Sequence, residues 1–153
     1  MSNIKKQIWT VAGVLIIAAS IFLFFSGKVN APDHQVVIGS SRINVELAQT
    51  PEARAQGLSG HKPLADNEGM LFIFDKPGMY GFWMKDMLFA IDIIWLAPSE
   101  VEGISKIVHM EKNISPNTYP KVFAPKEYTQ YVLEVNAGIA EKNNWAVGDE
   151  VKF

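Results

Sequence analysis

Near its start the chain carries one long apolar stretch, and beyond it only short ones. From Ile8 to Phe25 it reads IWTVAGVLIIAASIFLFF, without a charged residue. At a 1.5 Å rise per residue, about 18 residues reach about 27 Å, close to the hydrocarbon thickness of a bilayer. A helix lying on a soluble core would keep a polar stripe, and this stretch has none. It predicts a membrane-spanning helix. Lys5 and Lys6 precede it while Lys28 and Asp33 follow, so the positive-inside bias puts residues 1–7 in the cytoplasm and everything after Lys28 outside. A cleaved signal peptide predicts the same side, and Val29-Asn30-Ala31 offers a small-x-small site. Against cleavage stand Pro32 directly behind that site and an apolar run longer than a signal core requires. The expectation is an uncleaved single-pass anchor in the cytoplasmic membrane, a linker over 26–34 and an extracytoplasmic domain over 35–153.

Within that domain the pattern has a period of two. Ile43, Val45 and Leu47 alternate with Arg42, Asn44 and Glu46, as in a half-buried strand. With Gln35–Ile38 and a Gly39-Ser40-Ser41 turn they predict a hairpin. Thr50-Pro51 opens a short helix that Gly57 ends. Gly69–Phe74 is a continuous apolar run, the mark of a strand buried on both faces, and Asp75–Gly78 turns it round. Phe82–Leu96 is too long for one straight strand and predicts two, or one strongly bent. Strands are further expected at Ile104–Met110, Tyr128–Val135 and Gly148–Phe153. Glu111–Glu127 reads as an irregular excursion, and Ile139–Asn143 as one or two helical turns. Seven or eight short strands with two short helices imply a mainly β fold, most simply a small, partly closed antiparallel barrel.

Charge and cysteine content narrow the function. The chain has 14 basic and 16 acidic residues and no cysteine. Lys5 and Lys6 aside, all of these charges fall after the apolar stretch, so the outer part is net negative, with no basic run to suit a nucleic acid. The absence of cysteine removes disulfides, thiolate nucleophiles and Cys-ligated zinc. No HExxH, P-loop, GxSxG or dinucleotide fingerprint occurs, so no cofactor is expected.

A few polar residues sit awkwardly among apolar ones. Asp92 lies inside LFAIDIIWL, where a bare carboxylate costs several kcal/mol unless it is paired, hydrogen-bonded or protonated. An ion pair with Lys85 or Arg54 is the structural expectation, a tuned general acid or base the catalytic one. Glu134 in YVLEVN has the same character, and two carboxylates converging on a cavity would resemble a glycosidase pair. Arg54 suits a bidentate clamp on carboxylate or phosphate. Phe82-Trp83-Met84 and Trp95 suit an aromatic platform for a sugar or lipid, although core packing accounts for most such clusters. A period of two places Lys85 and Asp86 on opposite faces. Met70, Met79, Met84, Met87 and Met110, with His61 and His109, offer soft ligands of the kind Cu(I) takes. No Met-x-x-Met array occurs, however, and methionine is an ordinary core filler.

Taken in order, Arg54-x-x-Gly57-Leu58, Gly69-Met70-Leu71-Phe72, Phe82-Trp83-Met84-Lys85, Ile91-Asp92-Ile93, Val132-Leu133-Glu134 with Ala137-Gly138, and Gly148-Asp149-x-Val151 resemble the bacterial and archaeal family known as domain of unknown function 192. The resemblance spans about Val36 to Phe153. It implies a small β-barrel-like domain, often secreted or membrane-anchored and without established activity, with Arg54, Trp83, Lys85, Asp92 and Glu134 among its characteristic positions. Asp86-Met87 departs from it, since Asn-Thr is commoner there, and so does His61, where a basic residue is frequent. The reading that results is a membrane-anchored binding or accessory module, with a small-molecule or glycan pocket rimmed by those five residues. The alternatives are a hydrolase acting on an envelope glycan through Asp92 and Glu134, and a Met/His copper-handling protein.

Overall fold

The alternation in Ile43, Val45 and Leu47 does form a strand, and its neighbours close into a barrel. The computed structural model describes residues 34–153; the tail, anchor and linker expected over residues 1–33 lie outside the described residues. In chain order the elements are β1 (Gln35–Ile38), β2 (Ser41–Ala48), α1 (Pro51–Gln56), β3 (Glu68–Gly78), β4 (Phe82–Trp83), β5 (Ile91–Pro98), β6 (Ile104–Ile114), β7 (Val122–Phe123), β8 (Thr129–Asn136), α2 (Ile139–Lys142) and β9 (Glu150–Lys152). Among the described residues no helix is long and apolar enough to cross a membrane.

Seven strands form a closed barrel in the order β1-β2-β3-β8-β5-β6-β9. Closure comes from β9 pairing with β1, Val37 opposite Lys152 and Ile38 opposite Val151. Two expectations change here. The barrel is closed rather than partly closed, and it is not wholly antiparallel, because β2 and β3 run parallel, from Asn44 opposite Glu68 to Ala48 opposite Phe72. A parallel pair needs a crossover of a dozen residues or more, and the helix and loop between Ala48 and Glu68 provide it. Thr50 caps that helix by accepting from the Ala53 N–H at 3.1 Å, and Gly57 ends it at φ 51°.

The sheet is buried on both faces. Its lumen holds Val36, Ile38, Ile43, Val45, Leu71, Ile94, Leu96, Ile107, Leu133, Val135 and Val151, with Ile139, Ala140 and Trp145 plugging one end. Outside lies a second apolar layer in which Met70, Phe72, Ile93, Trp95 and Val132 of the sheet meet Leu58, Met84, Met87 and Phe123. Gly69–Phe74 serves both layers, as its unbroken apolarity predicts, with Leu71 turned inward and Met70 and Phe72 outward. Residues 33–153 form one compact unit with a closed sheet and its own core, the properties of a domain that folds alone.

The long apolar run is where the period of two fails. β4 stops at Trp83, and the chain turns through residues 84–90 before β5 begins. Met84 and Met87 are both buried at a spacing of three, while Leu88 is exposed. The region expected to be irregular contributes the last turns of order to β6, which reaches Ile114, and the strand β7. β7 pairs with β4 in a two-stranded ribbon, Phe82 opposite Phe123 and Trp83 opposite Val122.

Candidate functional site

Asp92 opens β5 on the lumen side, in phase with Ile94 and Leu96. It is fully buried, and its partners are main-chain donors rather than a cation. One carboxylate oxygen accepts from the N–H groups of Asn113 at 2.7 Å and Gly138 at 3.2 Å, and the other from Ala140 at 3.0 Å. The expected ion pair with Lys85 or Arg54 is therefore replaced by a cap that ties β6 and the start of α2 to the barrel. Gly138, at φ 87°, takes a left-handed turn that a residue with a Cβ enters only at a cost.

Glu134 faces the other way. On β8 it stands opposite Met70 of β3 and Ile93 of β5, both members of the outer layer. Asp92 stands opposite Val135, which belongs to the lumen. The two carboxylates thus lie on opposite faces of one sheet and cannot grip a single glycosidic bond between them, which removes the paired-carboxylate arrangement. Glu134 is 4% exposed. Desolvation by burial pushes its carboxyl from 4.5 up to about 8, and among the described residues neither a cation nor a hydrogen bond offsets it.

Arg54 lies on α1, partly buried, and spends its guanidinium on main chain. One nitrogen donates to the carbonyls of Gln49 and, at 2.9 Å, of Ile73, and the group lies 5.2 Å from the centre of the Phe74 ring. It stitches β2 to β3 just past their last paired residues. Trp95 is buried in the outer layer with its indole N–H donating to the Tyr80 carbonyl at 2.9 Å, so the structure assigns it to packing.

Trp83 and Lys85 do come together. They line a groove of about 410 Å³ with Asp86, Gln56, Ser59 and Gly60. Trp83 is 53% exposed, and its ring makes an edge contact with that of Tyr119 at a centroid distance of 6.1 Å. The turn carrying Lys85 and Asp86 is pinned to the end of the α1 loop. The Ser59 hydroxyl donates to the Lys85 carbonyl at 2.8 Å, and the Gly60 N–H to the Asp86 carbonyl at 2.9 Å. Asp86 sits at φ 55°, a left-handed conformation that aspartate and asparagine tolerate better than most residues. That backbone overturns the opposite-face expectation, because a turn rather than a strand presents Lys85 and Asp86 to one groove. Neither forms an ion pair among the described residues.

Gln56 and Ser59 carry no signal in the sequence, and Asp86 stands out there only for its expected face and its departure from the resembled pattern. The one signal for the turn itself was the tolerance of Asp86 for a left-handed conformation, hidden inside an apolar run. The soft-ligand set disperses: Met70, Met84 and Met87 lie in the outer layer, Met110 packs against the lumen and Met79 is exposed. His109 contacts the Trp95 ring and Glu111.

Two solved structures share this architecture. A protein of unknown function from Novosphingobium aromaticivorans DSM 12444 is 28% identical, with a TM-score of 0.71 over 78% of this chain and 84% of that one. A protein from Sinorhizobium meliloti 1021, for which a role as a transcription regulator has been suggested, is 29% identical, with a TM-score of 0.68 over 77% and 89%. No curated protein matches. The family model for DUF192, described as Uncharacterized ACR, COG1430, matches residues 34–153. With the ordered motifs, the closed barrel and a match over its whole length in agreement, the chain belongs to the DUF192 family.

Proposed function

We propose that the domain is a binding module that holds an envelope glycan against Trp83, on the outer face of the cytoplasmic membrane to which residues 8–25 anchor it. The observation that carries the reading is the Trp83 groove. An indole on a paired ribbon offers a stacking face for the C–H side of a sugar ring, and polar side chains on a pinned turn stand around it, the usual composition of a site that orients a polar ligand. Lys85 supplies three donors and Asp86 two acceptor oxygens. Gln56 keeps its carbonyl oxygen for a ligand, since its amide nitrogen already donates to Ser59 at 2.7 Å. The turn is held by its main chain, so the backbone is already ordered and binding orders only the exposed Lys85 and Asp86 side chains. No paired carboxylates flank the groove, which favours binding over hydrolysis. The regulator role suggested for the Sinorhizobium protein is not carried over, because the sequence offers no basic run to set against phosphates.

Three tryptophans lie in residues 33–153, and only Trp83 is exposed, Trp95 and Trp145 being buried. Acrylamide quenching therefore reports on Trp83. Soluble disaccharide–peptide fragments of murein should protect the fluorescence in a saturable way, and Lys85→Ala with Asp86→Gly, which keeps the left-handed turn accessible, should abolish that protection without changing the quenching of the free protein. Protection that never saturates, or that survives the double variant, would sink the reading.

A further inference from the structure

Among the described residues the barrel is plugged at one end only. α2 and Trp145 fill the end where β2 and β5 begin: Asp92 caps α2, and the Trp145 indole donates to the Ser41 hydroxyl at 3.4 Å. At the opposite end the inward-facing residues continue past the packed core, and no described residue covers them. Val45 and Leu71 form the floor, Leu47 and Ile73 the wall, and Tyr131 with Phe153 the lip of a hollow of about 460 Å³. The two lip rings are tilted against each other with centroids 4.8 Å apart. Leu47, Ile73 and Tyr131 are only partly buried although they sit in phase with the lumen. A barrel mouth of this size and apolarity is a recurrent place for a small ligand.

We propose that this mouth is a second binding site, for a free fatty acid whose alkyl chain enters between the wall and the lip. An aliphatic floor without a buried polar side chain suits an unbranched chain. The head group follows from charge. Gln49 and Ile73 both line the mouth, and the Arg54 guanidinium donates to the carbonyls of both. A permanent cation, not itself a lining residue, therefore stands fixed behind the wall at Gln49 and Ile73, which favours a carboxylate over an ammonium head by charge complementarity. This site shares no lining residue with the Trp83 groove, so either stands if the other falls.

Cis-parinaric acid, whose fluorescence rises in an apolar site, is the probe, titrated into residues 33–153. Saturable one-to-one binding is expected, displaced by hexadecanoate and at least about tenfold less well by hexadecylamine. Ile73→Trp, which fills the hollow, and Phe153→Ala, which removes the exposed half of the lip, should each weaken binding about tenfold or more, while Trp83→Ala leaves it unchanged. Phe153→Ala alters a terminal, half-exposed side chain, so it keeps the test valid if Ile73→Trp fails to fold. Non-saturable binding, indifference to both mouth variants, or equal displacement by the amine would overturn the proposal. So would binding by residues 33–153 that the full chain in a lipid nanodisc lacks, because the mouth would then belong to the chain's own segment ahead of His34.

Discussion

Replacing Glu134 by glutamine removes a charge that the fold resists. The unfolded chain releases the carboxyl proton near 4.5 and the folded domain near 8. Below 4.5 both states hold the proton, and the folded state carries no penalty. Between the two values the folded state keeps a proton that the unfolded chain has given up, so stability falls as pH rises, by about 1.4 kcal/mol per pH unit. By pH 7 the accumulated loss is on the order of 3 kcal/mol, and above the folded value it levels off near 5 kcal/mol. Glu134→Gln keeps the shape of the protonated acid and cannot ionise, so it escapes the slope. Urea unfolding of residues 33–153 at intervals from about pH 5 to 9 measures both proteins, with an unchanged m-value showing that only stability has moved. The difference between variant and wild type should shift in favour of the variant by about 1.4 kcal/mol per pH unit up to about pH 8, then flatten. All other titrating groups are common to the two proteins and cancel. Parallel stability curves across that window would refute the argument that Glu134 is a solitary buried acid.

Two structural readings carry sizes of their own. Asp92→Ala leaves three N–H donors without their acceptor, at about 1–3 kcal/mol for each that stays buried. A loss on the order of 4 kcal/mol in urea unfolding is expected, and a loss under about 1 kcal/mol would show that water or another group replaces the carboxylate. Gly69→Ala places a Cβ 2.7 Å from the Glu134 carbonyl and 3.1 Å from a Val135 methyl, so β3 and β8 must separate. Destabilisation of about 1–3 kcal/mol should follow, and a variant as stable as wild type would mean that the strands yield freely.

The barrel was legible where one rule acted alone. In β2, Ile43 and Val45 face the lumen while Arg42 and Glu46 do not, and the alternation says so. The Thr50 cap and the Gly57 stop are likewise local, and the helix begins and ends where they place it. Elsewhere two apolar layers clothe the same sheet, and period two loses its meaning because both faces want apolar residues. That is why YVLEVN and FAIDIIWL could not show that Glu134 looks outward and Asp92 inward. The Asp92 partners were invisible for a different reason, since main-chain donors leave no trace in residue type. Direction is also absent from an alternating pattern. The parallel pairing of β2 with β3 was readable only in the stretch between them, too long for a hairpin and long enough to cross over. The groove around Trp83 depended on a turn inside FWMKDML, where buried Met84 and Met87 mimic a strand.

The seam between β1 and β9 also has a consequence in time. A chain delivered to its folding compartment from the N-terminus presents β1 first, yet one edge of β1 has no partner until Val151 and Lys152 arrive. Until then the growing sheet carries two open edges, each a template for an unwanted strand. Pairing so distant in sequence is also slow to find. The domain thus keeps both of these edges open until its final residues appear, and slowed delivery of those residues should lower its yield.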